Sequence, residues 1–307
     1  MSKIIKISQK LKDFNKEINI PGDKSLSIRW VLFSSLASGK CKAKNLLMSE
    51  DVLAAIDAIK KLGIKTIKKN NEFIIYGKGI DGYKYKKNLI INAKNSGTLG
   101  RLILGILIDT PIPIKMIGDK SLSKRDFKRI ADPLSGFGAT FRLNKNYGLP
   151  LTIKGSNKLK PIKYYEKKGS AQCKSSIMFG GIKTNGKTII KAKKSRDHTE
   201  NFFKYLGIPI SVKKNKIYDE IKVRGQKIFK SFKYKVPSDP SSSAFFIVLT
   251  LLSKNCELKI KDVNVNQSRI GYIEVLNRMG ANIKIKNMRA KYGERQADIY
   301  VKSQPNL

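Results

Sequence analysis

Residues 21–36 read PGDKSLSIRWVLFSSL and carry the strongest fold signal in the chain. The Pro-Gly pair predicts a turn after a strand, and the apolar run that follows predicts a buried helix. Lys24 and Ser25 fall in the first turn of that helix, and Arg29 follows one turn later on the same face. Because the first N–H groups of a helix have no intrahelical acceptor, the arrangement predicts an anion site, most naturally for phosphate. Spacing alone leaves a capped helix with incidental basic residues as the alternative.

Further along the chain, a pattern of helix, glycine and alternating strand occurs four times. It reads IDAIKKLGIKTI at 56–67, IADPLSGFGATF at 130–141, FFKYLGIPISV at 202–212 and YIEVLNRMGANI at 272–283. The central glycines are Gly63, Gly138, Gly207 and Gly280, about 70 residues apart. Each stands where a helix end requires a positive φ. A period of this length suits small βαβ-type units, so the sequence predicts a pseudo-symmetric α/β protein.

A second helix start, rich in small polar residues, precedes each of these glycines. These starts lie at 24–25, 95–98, 169–172 and 237–243, and they open the apolar runs 30–36, 102–108, 177–182 and 245–252. Helices that are apolar on nearly all sides are buried. We therefore expect four buried helices whose polar N-termini face a shared cleft.

Length and composition narrow the class of protein. A chain of 307 residues favours two domains, and it contains neither an apolar stretch of membrane-spanning length nor an N-terminal signal-peptide pattern. Cys41, Cys173 and Cys256 are far apart, and His198 is the only histidine. This pattern predicts neither a zinc site nor a disulfide framework. We expect a cytoplasmic protein with no metal and no other cofactor.

The net charge of +40 invites a nucleic-acid interpretation. The lysines are spread over the whole chain, however, together with many Asn and Ile, as codon bias of an AT-rich genome would produce at solvent-facing positions. We therefore expect no specific nucleic-acid partner and no membrane partner. Arginine is the rarer basic residue, and a planar guanidinium suits bidentate anion binding. Arginines in the loops and helix starts predict a cleft for more than one anionic group, with surface salt bridges as the alternative for each: Arg29, Arg101, Arg125, Arg196 and Arg269.

Seven motifs resemble one family, in order and with similar spacing. They are PGDKSLSIR, NSGTLGR, GDKSLSKR, SAQCKS, SRDHTE, VPSDPSSSAFF and NQSRIGYIEVLNRMGA. From about Ile18 to its end, the chain resembles the 5-enolpyruvylshikimate-3-phosphate synthases. The resemblance implies a two-domain inside-out α/β barrel, the enolpyruvyl transferase fold, whose domains each contain three βαβαββ units. Residues 21–236 would form a complete domain, and residues 1–20 with 237–307 would form one unit of the other, so four of the family's six units are present.

The resemblance also implies an activity of the shikimate pathway, which serves aromatic amino acid biosynthesis. The enolpyruvyl group of phosphoenolpyruvate would be transferred to the 5-hydroxyl of shikimate 3-phosphate with release of phosphate, by a protein expected to be monomeric. Lys24 would be catalytic, and Gly97 would confer sensitivity to glyphosate. Residues implied to bind shikimate 3-phosphate are Lys24, Ser25, Arg29, Ser170, Ala171, Gln172 and Arg196. Those implied for phosphoenolpyruvate are Lys24, Asn95, Ser96, Gly97, Arg125 and Gln172.

The later family motifs, with a catalytic aspartate, a glutamate–arginine pair and a late arginine and lysine, do not occur in these 307 residues. One hypothesis is an ordinary synthase seen as a fragment. The other is a C-terminally truncated chain, either an inactive remnant or a module that only binds shikimate 3-phosphate. A UDP-N-acetylglucosamine enolpyruvyl transferase is a third, against which residues 24–29 and SRDHTE argue. Acids near the motifs are expected to be helix caps and local ion pairs: Asp51, Asp197, Glu200 and Asp239.

Overall fold

The computed structural model describes residues 12–226 and 228–305. The chain divides into two compact units, one formed by Gly22–Val236 and the other by Met1–Pro21 together with Pro237–Leu307.

The helices and strands follow one another in a repeating order. Up to residue 106 they are β1 (Phe14–Ile18), α1 (Lys24–Leu36), β2 (Ser38–Lys44), α2 (Glu50–Lys61), β3 (Lys65–Lys69), β4 (Glu72–Lys78), β5 (Ile90–Asn92) and α3 (Gly97–Ile106). Next come β6 (Ile114–Ile117), α4 (Lys120–Ser123), α5 (Lys128–Ser135), β7 (Thr140–Arg142), β8 (Leu151–Lys154), β9 (Lys163–Glu166), α6 (Ala171–Ile182), β10 (Lys187–Lys193) and α7 (His198–Tyr205). The last are β11 (Ile210–Lys214), β12 (Tyr218–Arg224), β13 (Lys233–Lys235), α8 (Pro240–Leu252), β14 (Cys256–Asn264), α9 (Gly271–Arg278), β15 (Ile283–Lys291) and β16 (Glu294–Lys302).

The four-stranded sheets share one strand order, which is the structural form of the sequence repeat. They run β1-β14-β16-β15, β13-β2-β4-β3, β5-β6-β8-β7 and β9-β10-β12-β11. In each sheet the first two strands are parallel and the other neighbours are antiparallel. A parallel pair needs a crossover connection, which α3 supplies between β5 and β6 and α6 supplies between β9 and β10, whereas the antiparallel pair at the far edge needs only a short turn.

Two strands are exchanged between repeats. Strand β1 precedes α1 in the chain but pairs with β14, which follows α8, with Ile18 opposite Ile260. Conversely, β13 precedes α8 but pairs with β2, which follows α1, with Tyr234 opposite Ala43. This exchange explains why one compact unit is continuous in sequence while the other contains two segments.

The four repeat glycines adopt the predicted conformation. Gly63, Gly138, Gly207 and Gly280 have φ values of 82°, 113°, 67° and 100°, and each lies between a helix and a strand. A side chain is strained at such φ values, so glycine ends the helix at little conformational cost. The predicted helix–glycine–strand pattern is confirmed in all four repeats.

The core of Gly22–Val236 is built on α1, α3 and α6, which are almost entirely buried, as predicted. Helices α3 and α6 approach closely, because a Cβ at Gly105 would lie 2.0 Å from the carbonyl oxygen of Ser176. The ring of Phe33 on α1 packs against Phe179 and Phe202, at centroid distances of 4.7 and 5.0 Å. These contacts place the N-termini of the three helices within one compact unit.

The expectation of burial is wrong for the fourth apolar helix, α8. Ile247 and Leu251 face its own sheet, but Phe245 is 79% exposed and Leu252 is 64% exposed. The physical reason is that α8 buries one face against β14 and β16. Helices α1, α3 and α6, by contrast, also have neighbouring helices of the same kind.

None of the helices within the described residues combines the length and the apolar character that crossing a bilayer requires.

Candidate active site

A cleft of about 570 Å³ lies in the unit Gly22–Val236, where α1, α2, α3 and α6 begin. Its polar lining carries charges of both signs, with cations in the majority, since three cationic and two acidic side chains take part. The lining residues are Lys24, Ser25, Ser49, Glu50, Asp51, Asn95, Gly97, Thr98, Arg125, Gln172 and Arg196.

Helix α1 begins with Lys24 and Ser25 on the cleft because Asp23 caps it. The buried carboxylate of Asp23 accepts a hydrogen bond from the N–H of Leu26 at 3.0 Å. The preceding Gly22 is required by a close approach, since a Cβ there would lie 2.0 Å from the carbonyl oxygen of Asn45. The side chain of Lys24 is 51% exposed, and its Nζ lies 2.9 Å from Oδ2 of Asp51.

Arg29 lies behind Ser25, within a buried polar cluster. Its Nη1 donates to the carbonyl oxygen of Ser25 at 3.1 Å, its Nε to Oγ1 of Thr199 at 2.8 Å and its Nη2 to Oγ of Ser175 at 3.2 Å. The hydroxyls of Ser175 and Thr199 are hydrogen-bonded to each other at 2.6 Å. The guanidinium therefore links α1, α6 and α7.

The N-terminus of α3 brings Asn95 and Gly97 to the cleft. Ser96 is buried and acts as the N-cap, its Oγ accepting from the N–H of Leu99 at 3.3 Å. Arg125 donates from Nη2 to Oδ1 of Asn95 at 3.1 Å. A Cβ at Gly97 would lie 3.2 Å from Nη1 of Arg125, so this guanidinium stands directly over the glycine.

The N-terminus of α6 supplies Gln172, with Ser170 as the cap. Ser170 accepts at Oγ from the N–H of Cys173 at 3.2 Å, and its own N–H donates to the buried Glu166 at 2.8 Å. Ala171 is the first residue of the helix. Gln172 donates from Nε2 to Oγ1 of Thr98 at 3.1 Å, which joins the starts of α6 and α3.

Arg196 reaches the cleft from the loop between β10 and α7. A buried ion pair anchors this loop, since Lys174 Nζ lies 2.5 Å from Oε1 of Glu200 and 3.5 Å from the carbonyl oxygen of Ser195. The two side chains are only 1% and 4% exposed. The acids Glu200, Asp51 and Asp239 form ion pairs as predicted, although their partners are distant in the chain. Asp239 also caps α8, and Asp197 stands at the N-cap position of α7.

Burial and like charge shape the electrostatics beside the cleft. Burial, together with the charges of Arg129 and Arg125, lowers the pKa of Arg101 to about 10. At this pKa Arg101 is still charged at neutral pH, so an anion in this region gains from its guanidinium as well as from the arginines that line the cleft. Burial also raises the pKa of the neighbouring Cys173 to about 12, which keeps its thiol neutral.

Of the residues predicted from the sequence, Lys24, Ser25, Asn95, Gly97, Arg125, Gln172 and Arg196 line the cleft. The other predicted side chains are not part of this lining. Ser96 and Ser170 cap their helices, Arg29 and Arg101 are buried, and Arg269 belongs to the other unit, where it pairs with Asp239. Sequence reasoning did not assign Ser49, Glu50 and Asp51 to the site, and it included Thr98 only as part of the helix start 95–98. Ser49, Glu50 and Asp51 form the start of α2. The only sequence feature that could have pointed to them is the acidic pair at a helix N-terminus, which ordinarily indicates capping.

Within residues 12–226 and 228–305, no group of three or more His, Cys, Asp or Glu side chains is arranged to hold a metal ion.

The repeated α/β units bring helix N-termini, an ammonium and guanidiniums together at one cleft. This arrangement defines the class of protein: an inside-out α/β barrel with the chemistry of an anion-binding site. Comparison with known proteins gives the family. The family model for EPSP synthase (3-phosphoshikimate 1-carboxyvinyltransferase) matches residues 8–307. The chain belongs to this family.

Individual relatives agree with the family model. The 3-phosphoshikimate 1-carboxyvinyltransferase of Petrotoga mobilis is 41% identical over 296 residues, which are 95% of this chain and 67% of that protein. The enzyme of the same name from Caldicellulosiruptor bescii is 41% identical over 94% of this chain and 66% of its own. A solved EPSP synthase from Acinetobacter baumannii superposes with a TM-score of 0.86 at 35% identity, covering 94% of this chain and 65% of that one. The chain thus spans about two thirds of the length of these relatives.

Proposed function

We propose that this chain supplies the substrate-binding cleft of an enzyme that transfers the enolpyruvyl group of phosphoenolpyruvate to the 5-hydroxyl of shikimate 3-phosphate. The observation that carries the proposal is the convergence of Lys24, Arg125, Arg196 and Gln172 with three helix N-termini on one cleft. Helix N-termini, guanidiniums and an ammonium are the groups that bind phosphates and carboxylates. Both substrates carry those groups.

The proposed reaction proceeds by addition and elimination. The 5-oxygen of shikimate 3-phosphate loses its proton and forms a bond to C2 of phosphoenolpyruvate, while C3 gains a proton. The tetrahedral intermediate then loses its bond between C2 and the phosphate oxygen, and C3 gives up a proton, which restores the double bond and releases phosphate. Lys24 would stabilise the negative charge that develops at the reacting centre, because its ammonium lies at the head of α1 in the cleft.

The family motifs suggest which residues contact each of the two substrates. Shikimate 3-phosphate would contact Lys24, Ser25, Arg29, Ser170, Ala171, Gln172 and Arg196. Phosphoenolpyruvate would contact Lys24, Asn95, Ser96, Gly97, Arg125 and Gln172. Two multiply charged anions repel each other, and the surrounding cations would offset that repulsion.

Calorimetric titration of the chain with shikimate 3-phosphate tests the binding part of the proposal. We expect saturable binding of one equivalent and none of UDP-N-acetylglucosamine under the same conditions. Phosphate release with both substrates then tests transfer. Binding of the UDP-sugar in preference to shikimate 3-phosphate would contradict the proposal.

Lys24→Met tests the role of the ammonium, and Lys128→Met is a matched control. Both lysines begin a helix, are about half exposed and pair with a carboxylate, but Lys128 is not among the cleft residues. Where transfer is measurable, we expect Lys24→Met to lower kcat by about 10²-fold or more, as loss of a charge-stabilising donor does. Equal and small losses in both variants would contradict the assigned role.

We further propose that the protein is cytoplasmic and monomeric. The three cysteines are free and buried, which suits a reducing compartment. Sedimentation velocity over a wide concentration range tests the monomer, and a mass that rises with concentration would contradict it.

A further inference from the structure

The side-chain amide of Gln172 is held at both ends. Arg101 Nη1 donates to its Oε1 at 2.6 Å, and its Nε2 donates to Oγ1 of Thr98 at 3.1 Å. The oxygen and nitrogen of an amide are otherwise hard to tell apart, and either orientation can be drawn. A guanidinium has donors only, so the end of Gln172 that faces Arg101 must be the carbonyl oxygen.

Arg101 is itself buried and held by other contacts. It lies on α3 with 4% exposure, donates from Nη2 to the carbonyl oxygen of Asp126 at 3.3 Å and stacks over the ring of Phe127 at 5.2 Å. Burial and its arginine neighbours lower its pKa only to about 10, so it stays charged at neutral pH. A buried, stacked and charged donor holds the carbonyl of Gln172 more firmly than a surface side chain would.

The fixed carbonyl determines what Gln172 presents to the cleft. An amide nitrogen has two hydrogens, and Thr98 takes one of them. Because Gln172 is part of the cleft lining, the other hydrogen remains available to a ligand in the cleft. With the amide reversed, a carbonyl oxygen would stand there instead and would repel an anion.

We propose that Arg101 is a positioning residue, which orients the amide of Gln172 so that its NH2 group meets the phosphate or carboxylate of a bound substrate. The proposal rests on the proposed function for the nature of that ligand. It assigns Arg101 an indirect role, distinct from that of Arg125 and Arg196, which line the cleft themselves. If Arg101 acted through its charge alone, its effect on binding would not depend on residue 172.

A double-mutant cycle separates these two modes of action. We would titrate the chain with shikimate 3-phosphate as wild type, Arg101→Lys, Gln172→Ala and the double variant. Lysine keeps the charge but lacks the planar guanidinium, which donates both to Oε1 of Gln172 and to the carbonyl oxygen of Asp126. We expect Arg101→Lys to weaken binding by about tenfold in the wild-type background, and by less than about twofold when Gln172 is already alanine. The same factor in both backgrounds would overturn the proposal.

A second readout does not depend on any ligand. In ¹⁵N spectra, the side-chain amide signals of Gln172 can be assigned as the pair that is present in the wild type and absent from Gln172→Ala. We expect the hydrogen that is donated to Thr98 to exchange slowly in the wild type and about tenfold faster or more in Arg101→Lys. Without the bond to its carbonyl oxygen the amide can rotate away from Thr98, and the loss of one well-made hydrogen bond is worth about that factor. Arg142→Lys, at an exposed position on β7 of the same unit, should leave the exchange rate unchanged.

The two measurements keep this inference apart from the proposed function. Unchanged exchange in Arg101→Lys overturns the positioning role, whether or not the chain binds shikimate 3-phosphate. Faster exchange in a chain that does not bind shikimate 3-phosphate supports the role of Arg101 and contradicts the proposed ligand. If Arg101→Lys does not fold, Thr98→Val removes the acceptor at the other end of the amide and should speed the same exchange. A wild-type rate in Thr98→Val would then overturn the inference.

Discussion

Two carboxylates stand at the start of α2 in a cleft whose other charged side chains are cations. Asp51 lies 2.9 Å from Lys24, while Glu50 lines the same cleft from the preceding position. A carboxylate that orients Lys24 also repels an incoming anion. At the scale of single residues, the site thus balances the orientation of its ammonium against the strength of anion binding.

Asp51→Asn should therefore tighten the binding of shikimate 3-phosphate. The change removes one negative charge next to Lys24 with almost no change of shape, so we expect the dissociation constant to fall by about threefold or more in low salt, less at high salt. Calorimetry measures the change. Asp57→Asn, on the same helix but paired with Lys61 outside the cleft, serves as the control. Weaker binding in Asp51→Asn would show that orientation of Lys24 outweighs repulsion.

Gly97→Ala should weaken ligand binding without weakening the fold. Its Cβ would lie 3.1 Å from Nη1 of Arg101 and 3.2 Å from Nη1 of Arg125, so both guanidiniums must move by a few tenths of an ångström. We expect weaker binding of phosphoenolpyruvate and of glyphosate, with an unchanged or slightly higher melting temperature, because alanine favours a helix over glycine. In Gly271→Ala, the control, the new Cβ meets nothing within 4 Å. Unaltered affinity for both ligands in Gly97→Ala would contradict this expectation.

At the scale of secondary-structure elements, the buried ion pair between Lys174 on α6 and Glu200 on α7 anchors the loop that carries Arg196. Replacing one partner leaves a buried charge without its counter-ion. Glu200→Gln should therefore lower the unfolding free energy by about 3 kcal/mol or more. Urea unfolding measures this, and Asp132→Asn, which breaks the exposed pair with Lys128, should leave it almost unchanged. Equal losses in the two variants would contradict a structural role for the buried pair.

The buried Cys173 on α6 predicts that the stability of the fold depends on pH. Burial raises the pKa of Cys173 from 9.0 to about 12, so the folded chain keeps a proton that the unfolded chain releases at lower pH. The contribution to stability is complete below pH 9 and is lost as the pH rises from 9 towards 12. The unfolding free energy of the wild type should thus fall more steeply across this interval than that of Cys173→Ala. Parallel curves for the two proteins would contradict the assigned shift.

At the scale of the whole molecule, Gly22–Val236 contains its own core and three complete sheets. Strand β13 is the edge strand of one of them, next to β2. We therefore expect residues 22–236 to fold alone with a single cooperative thermal transition. A piece ending at residue 230 lacks β13 and leaves the edge of β2 unpaired, so it should melt at a lower temperature. Calorimetric scans compare the two. Non-cooperative melting of the longer piece would contradict its independence.

Much of the fold follows from local pattern, because helix caps and helix–glycine–strand junctions depend on residues a few positions apart. Gly63 and the three equivalent glycines, and the helix starts at Lys24 and Ser170, could all be predicted for that reason. The seven motifs likewise indicated most of the residues that line the cleft. Local pattern could not show that α8 leaves Phe245 exposed, since burial depends on which neighbours a helix has.

The sequence by itself determined the repeat, the starts and ends of the helices, the family, and the main cations of the cleft, because each rests on side chains close together in the chain. Only the tertiary structure decided the exchange of β1 and β13, the pairing of Lys24 with Asp51 and the orientation of Gln172 by Arg101. These depend on contacts between residues 27 to more than 200 positions apart. Such contacts are selected by packing and by the satisfaction of buried polar groups, neither of which a local pattern records.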